Sequence, residues 1–432
     1  MLKRQLGLWQ TVLLGIGIMV GAGIYVLIGV AAVEAGSALW FSFLIGAILA
    51  MLTAFSYAEL SSMYPNAGSS YFYSKQAFGS RRLSFLLGWF LIVAYTAAST
   101  TVAFGFSQYL NSIIPIPQEL AAVSILFLLG LLNYIGLREA SRFNILATFL
   151  EVGGLVALIF LFFASTDIAG LDFSLDPPKG IDGMVTAAIL VFFAYLGFEV
   201  LATAAEEIRD VKKTLPRAIL ISIALTSLIY VLTALAFTSA LSYDAIVQTV
   251  DEGEGALAAA AGQFGGEAFL LALVIIGLFS TGNTILISLI GVSRMMYGMA
   301  EDRALPSKLL QTTKSGVPGL AIIFATFLSI LLAFFSNLST VARISVSGMF
   351  MIFIFDNLSV IALRLKKPEH ERQFKIPFSI ANIPLLPVLS VLFIISLLIL
   401  EFASDQTLLL GFLALAATGL ILNESEYRLT GD

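Results

Sequence analysis

The sequence predicts an all-α integral membrane protein with twelve transmembrane helices, and three observations predict it. Apolar residues make up 59% of the 432-residue chain and charged residues 12%, with a mean hydropathy of +0.97. That balance lies outside the soluble globular range. Apolar runs of bilayer-crossing length recur from one end of the chain to the other. The positive charges also sort to one side: with the N-terminus cytoplasmic, all of the 23 Lys and Arg except Lys179 and Arg343 fall in inner loops or at inner span ends. A missing span would invert every later loop and scramble that bias. The protein is therefore expected in the cell (inner, cytoplasmic) membrane, with both termini in the cytoplasm and the lipid bilayer as its surroundings.

The spans are expected at about 9–33, 38–61, 83–110, 119–136, 143–165, 183–205, 216–240, 267–298, 318–335, 340–363, 384–402 and 406–423. Span one holds Gly15-Ile16-Gly17-Ile18-Met19-Val20-Gly21-Ala22-Gly23. Each glycine costs a helix roughly 1 kcal/mol relative to alanine, so a segment that only crossed lipid has no use for this run. A helix that stops at mid-membrane and restarts explains it, and broken backbone at that depth is tolerated only where it lines a cavity. Span five carries Glu151, an acid deep in an apolar run. The outer loop before span six is acidic (Asp167, Asp172, Asp176, Asp182), as is the one after span seven (Asp244, Asp251, Glu252, Glu254). Both read as a solvated rim.

Span six contains Phe193-Ala194-Tyr195-Leu196-Gly197-Phe198-Glu199. A glycine followed closely by an acid is a second interruption, and it opens a second set of five spans as the first interruption opened the first. Two broken helices at matching positions in two halves point to an inverted repeat with its site where the breaks meet. The chain is thus read as a single membrane domain, 1–432, with repeats at 9–165 and 183–363 and two extra helices at 384–423. Span ten adds a third deep acid, Asp356.

Several function classes are excluded. A net charge of −5 is wrong for nucleic acid, which needs a basic face. The absence of cysteine removes disulfides, thiolate metal sites and thiol nucleophiles, and the one histidine, His370, sits in a polar inner loop. No G-x-x-x-x-G-K-[ST] sequence supports a nucleotide-driven pump. No nucleophile elbow or metal cluster supports a membrane enzyme. The stretch after Lys3-Arg4 is too long for a signal peptide and reads as the first retained span.

Taken in order, a series of segments resembles the amino acid–polyamine–organocation (APC) superfamily. They are Val20-Gly21-Ala22-Gly23-Ile24-Tyr25, Ser56-Tyr57-Ala58-Glu59-Leu60, Tyr64-Pro65-Asn66-Ala67-Gly68, and Phe193 to Glu199. Ala205-Glu206-Glu207-Ile208, Lys213-Thr214-Leu215-Pro216-Arg217-Ala218, Ser293-Arg294-Met295-Met296-Tyr297-Gly298-Met299-Ala300 and Asn357-Leu358-Ser359 complete the series. The resemblance covers nearly the whole chain. It implies a leucine-transporter-type 5+5 fold with helices 1 and 6 broken, and transport of an amino acid or related amine by alternating access. Symport of a neutral amino acid is the leading expectation. Exchange of amino acids or polyamines is the alternative, and a channel or transport-like sensor a further one.

The residues and the resemblance agree on a carboxylate site. The half-helix restarting after the first break presents free N–H groups and a positive dipole end, and Gly21, Ala22 and Gly23 let a ligand approach the main chain. The resemblance further implies that the substrate ammonium meets carbonyls of Met19, Phe193, Ala194 and Leu196, and that the Phe193 ring covers it. Phe198 is a second gating aromatic. Tyr95 and Asn283 are candidate side-chain contacts. For coupling, the candidates are the acids Glu151, Glu199 and Asp356, because an ionised group at mid-bilayer is costly and functional by default, with Ser280 as an oxygen that could help Glu151 hold a cation. Glu151 stands where several members of the superfamily carry a titratable lysine, so the charge is reversed here. A proton on Glu151 is the preferred reading. Sodium held by Glu151, Ser280 and nearby carbonyls is the alternative, and no other metal, cofactor or obligate protein partner is expected.

Overall fold

The computed structural model describes residues 6–64, 70–136, 140–165, 172–201 and 208–430, with the side chains of 140–147, 165 and 425–430 excepted. Pro65–Gly68, Arg138, Asp167 and Ala205–Glu207, along with Lys3 and Arg4, lie outside the described residues. The helices are α1 (Leu8–Met19), α2 (Ala22–Ala35), α3 (Leu39–Met63), α4 (Ser70–Phe78), α5 (Arg81–Asn111), α6 (Gln118–Ile135), α7 (Ala140–Ser165) and α8 (Gly180–Phe192). They continue with α9 (Val211–Ala240), α10 (Tyr243–Asp251), α11 (Ala256–Glu301), α12 (Gly319–Phe335), α13 (Leu338–Lys366), α14 (Leu385–Ser404) and α15 (Gln406–Thr430). A two-stranded hairpin, β1 (Ser379–Ile380) with β2 (Ile383–Pro384), interrupts the α13–α14 connection.

Among the described residues, eight helical stretches are long and apolar enough to cross a membrane, and shorter apolar helices lie at Leu8–Met19, Thr148–Ala164, Gly180–Tyr195 and Gly319–Phe335. Each predicted span overlaps one of these. Span one is divided between α1 and α2, and span six runs from α8 into a 3₁₀ turn at Phe193–Tyr195. Span eight shows how the sequence marks its own boundary. Helix α11 starts at Ala256, but Gly266 at φ +74° bends it, a left-handed conformation that favours glycine. The span expected at 267–298 begins just after that bend, and residues 256–265 form a further helical stretch before it. Helices α4 and α10 and the hairpin were not expected; the two helices are nine residues each and carry polar faces.

Local chemistry fixes the ends. Ser80 Oγ accepts the Leu83 N–H (3.3 Å), Asn337 Oδ1 the Thr340 N–H (2.9 Å), and Asp405 Oδ1 those of Thr407 and Leu408 (3.0 and 3.1 Å). Each is an N-cap for the helix that follows. Gly136, at φ +86°, closes α6 in the left-handed conformation.

The packing brings distant parts together. Helix α2 lies against α8, α3 against both α8 and α9, and α1 against α9. Helix α5 packs on α11 and α13, while α7 packs on α11; α5 also contacts α6, α11 contacts α12, and α6 contacts α12. Helices α6 and α12 expose Phe127, Leu131, Phe324, Phe327 and Phe334, the apolar outer surface that a bilayer covers.

Two ion clusters anchor the ends of α13. At its C-terminal end the fully buried Glu59 carboxylate of α3 accepts from Arg364 Nε (2.8 Å), Arg364 Nη2 (2.5 Å), Arg372 Nε (3.1 Å) and the Ile376 N–H (2.9 Å). At its N-terminal end Arg343 donates to Glu401 and to Asp405 (3.1 Å). The first cluster fastens the α13–α14 loop onto the end of α3.

Candidate functional site

The two interruptions lie side by side at the buried centre of the bundle. In the first, Val20 (ψ 64°) and Gly21 (φ −112°, ψ −151°) leave the helix between α1 and α2. In the second, Leu196 is extended (ψ 145°) and Gly197 adopts φ +119°, a conformation that strains any other residue. A Cβ on Gly23 would stand 2.6 Å from Ala194 Cα. The small residue of one break therefore lets the other break touch its backbone. A Cβ on Gly21 would meet the Thr284 hydroxyl, at 3.2 Å, and touch the Ile18 carbonyl at an ordinary 3.8 Å.

The predicted carboxylate cradle maps onto the first turn of α2. The N–H groups of Ala22, Gly23 and Ile24 have no intrahelical acceptor by their position, and the Ala22 N–H reaches Thr284 Oγ1 at 3.5 Å. The predicted ammonium acceptors converge from both breaks. Met19 O and Ala194 O both accept from the one Tyr230 hydroxyl, at 2.6 and 3.0 Å. Phe193 O accepts the Leu196 N–H at 3.2 Å, which closes the turn before Gly197. Phe193 itself is buried, at 6% exposure. Phe198 stacks on Phe353 (5.4 Å) and meets Tyr57 edge-on (5.5 Å). Asn283 is half-buried on α11, next to Thr284.

All three deep acids are buried, each in its own setting. Glu199 stitches the second break together, because Oε2 accepts the Gly197 N–H (2.9 Å) and Oε1 the Tyr95 hydroxyl (3.2 Å). Tyr95 thus contacts the break through Glu199. Asp356 Oδ2 accepts from Tyr57 (2.5 Å), whose hydroxyl also meets Ser70 (2.7 Å). Glu151 lies beside Ser280 as expected, and Glu151 Oε1 and Ser280 Oγ are both buried without a hydrogen-bond partner of normal geometry among the described residues. Such a pair of oxygens suits a proton or a hard cation. The Glu151 backbone carbonyl accepts from Tyr25 at 2.6 Å.

Sequence reasoning missed Tyr230, Thr284, Tyr57 as a partner of Asp356, and the Glu59 clamp. Nothing in the sequence set Tyr230 apart from the other hydroxyl residues of its span, Ser222, Thr226, Ser227 and Thr233 among them; its acceptors lie 211 and 36 residues away.

A buried pair of broken helices inside an all-helical, membrane-spanning bundle defines a multi-pass membrane transporter. The comparisons say which one: residues 6–417 match the amino acid permease family, and the chain belongs to that family, within the APC superfamily. It is 32% identical to the branched-chain amino acid permease BcaP of Bacillus subtilis, over 92% of this chain and 88% of that protein. It is 31% identical to the methylthioribose transporter of the same organism, over 90% and 86% of the two chains. The cationic amino acid transporter 3, mitochondrial, of Arabidopsis thaliana is 30% identical over 86% of this chain and 64% of its own. Amino acid transport across a membrane follows from family membership.

Proposed function

We propose that the protein is a secondary transporter that takes up a neutral amino acid by alternating access, in symport with a proton. The observation that carries this reading is the convergence of the breaks. N–H groups at the start of α2 that have no intrahelical acceptor, and carbonyls at Met19 and Ala194 that are bridged by the Tyr230 hydroxyl, lie together at the breaks, opposite in polarity as the carboxylate and ammonium of one amino acid are. Gly21, Ala22 and Gly23 would hold the carboxylate. Met19, Phe193, Ala194 and Leu196 would offer carbonyls, with Phe193 and Phe198 as gates.

The packing supports twelve spans in a 5+5 inverted repeat. Exchanging each of the first five spans with its counterpart five later turns the α5–α13 contact into α11–α7, α1–α9 into α8–α3, and α5–α6 into α11–α12, and all of these contacts occur. The two termini are placed in the cytoplasm by the positive-charge bias.

A neutral substrate fits better than a polyamine, because Glu199 and Asp356 are already engaged by Gly197, Tyr95 and Tyr57. The printed name of the Bacillus relative makes branched-chain amino acids the first to test. Coupling is assigned to Glu151: its Oε1 and Asp356 Oδ1 both lack a hydrogen-bond partner of normal geometry, but Asp356 is held through Oδ2 by Tyr57 whereas Glu151 lies beside the equally unpartnered Ser280 hydroxyl, with which it would hold a proton or, as the alternative, sodium. Proteoliposomes with wild-type protein should concentrate a ¹⁴C-labelled mixture of the standard amino acids when an inward proton gradient is imposed. Glu151→Gln should bind substrate but lose the dependence on that gradient. Gradient-driven accumulation persisting in Glu151→Gln removes Glu151 from the coupling step; a response to sodium alone replaces the proton.

A further inference from the structure

Tyr25 sits one helical turn beyond the first break, on α2, yet its hydroxyl lies on the backbone of α7. It donates to the Glu151 carbonyl at 2.6 Å. That carbonyl is by position the i→i+4 acceptor for the Leu155 N–H of α7. The side-chain hydroxyl therefore shares the acceptor of that rung. The sequence makes room for it: between Glu151 and Leu155 stand Val152, Gly153 and Gly154, and a Cβ on Gly154 would lie 3.0 Å from the Tyr25 hydroxyl and 3.0 Å from Ile276 Cδ1. The tyrosine is held from behind. Tyr109 of α5 donates to the Tyr25 carbonyl at 2.9 Å and meets its ring edge-on at 6.4 Å. Tyr25, Tyr109, Glu151 and Leu155 are all buried.

We propose that Tyr25 is a positioning residue that joins the substrate cradle to the coupling acid. Helix α2 carries the cradle at its first turn and Tyr25 at its second, so a shift of α2 on substrate binding is delivered to the turn of α7 that bears Glu151. The hydroxyl sets where that turn, and with it the Glu151 carboxyl beside Ser280, sits relative to α2. This rests on the reading of Glu151 as the coupling group. A packing tyrosine would need the ring alone; the hydroxyl on the Glu151–Leu155 rung and the glycine opposite it are what the positioning role explains.

The test is Tyr25→Phe, which keeps the ring against Tyr109 and removes only the hydroxyl. The mixture of ¹⁴C-labelled standard amino acids is the probe, in proteoliposomes with and without the driving gradient. Losing one buried hydrogen bond should cut gradient-driven accumulation by about fivefold. Counterflow without a gradient should change much less, and the dependence of uptake on pH or sodium should flatten. Gly154→Ala, which keeps the tyrosine but crowds its hydroxyl and the flexible end of Ile276, should reproduce the effect. Unchanged melting midpoints in both variants separate positioning from a folding defect. If Glu151→Gln uncouples transport while Tyr25→Phe and Gly154→Ala both stay coupled like wild type, this inference fails and the assignment of Glu151 stands. If Glu151→Gln itself stays coupled, or wild type takes up none of the mixture, the underlying reading fails and takes the inference with it.

Discussion

Replacing Glu59 with glutamine removes the one negative charge at a buried point where two guanidiniums converge. The carboxylate accepts four hydrogen bonds, from Arg364 Nε and Nη2, Arg372 Nε and the Ile376 N–H. A glutamine keeps a single acceptor oxygen and turns an N–H₂ group toward donors. Breaking a buried pair from one side costs about 3–5 kcal/mol, because the partner charge stays behind uncompensated. With an unfolding entropy of about 2.1 cal/mol/K per residue, the 432-residue chain changes its midpoint by about 1 °C per kcal/mol. Glu59→Gln should therefore melt about 3–5 °C below wild type in detergent, read by fluorescence-detected size exclusion after heating. Arg364→Gln should also be destabilising, and the double variant should lose less than the sum of the two, since the residues touch. A midpoint within about 1 °C of wild type for Glu59→Gln, or strict additivity in the double variant, would refute the clamp as a stabilising element.

The glycines of the first break should separate. Gly21→Val faces the Thr284 hydroxyl and should fold but lose amino acid binding, measured by thermal shift with ligand, whereas Gly23→Val drives a side chain into the Ala194 backbone and should not yield a monodisperse protein. Wild-type affinity in Gly21→Val would sink the carboxylate cradle. At the N-terminal end of α13, the Leu408 N–H, with Arg343 and the Thr407 N–H, holds the Asp405 carboxyl below the usual aspartate range. The stabilisation from its charged form should be complete above the unfolded value of about 3.9 and lost as pH falls through the lower folded value. Asp405→Ala should remove about 1 kcal/mol at neutral pH, and a melting midpoint for that variant equal to wild type above pH ~5 would show that the cap contributes nothing.

The parts of the molecule that are set by local composition were readable in the sequence, and the parts set by chain closure were not. Gly21 and Gly197 announced the breaks because glycine in an apolar span has a cost with no local return. The bend at Gly266 was not legible, because its positive φ is a property of the folded chain. Glu151 was legible as a costly charge, and Ser280 as an oxygen that could share a cation with it. By contrast, Glu59 and Arg364 stand 305 residues apart, and no property of either segment says that they meet. Tyr230 looked like one more polar residue in a long helix until the fold brought Met19 O and Ala194 O to it. The role of Gly23 also changed in emphasis: a Cβ there would meet Ala194 first, so its small size serves the contact between the breaks as well as access to the main chain.

The central claim is that an amino acid is carried at the meeting point of the two breaks by a site open to one side at a time. Counterflow tests it most directly. Proteoliposomes preloaded with the unlabelled standard amino acids and diluted into the ¹⁴C-labelled mixture should show a transient overshoot of label in wild type, because a carrier that unloads inside returns faster when reloaded. The overshoot should vanish in Gly21→Val. A wild-type signal that equilibrates with no dependence on internal amino acid would contradict the account and point to a channel, and an unchanged overshoot in Gly21→Val would move the site away from the breaks.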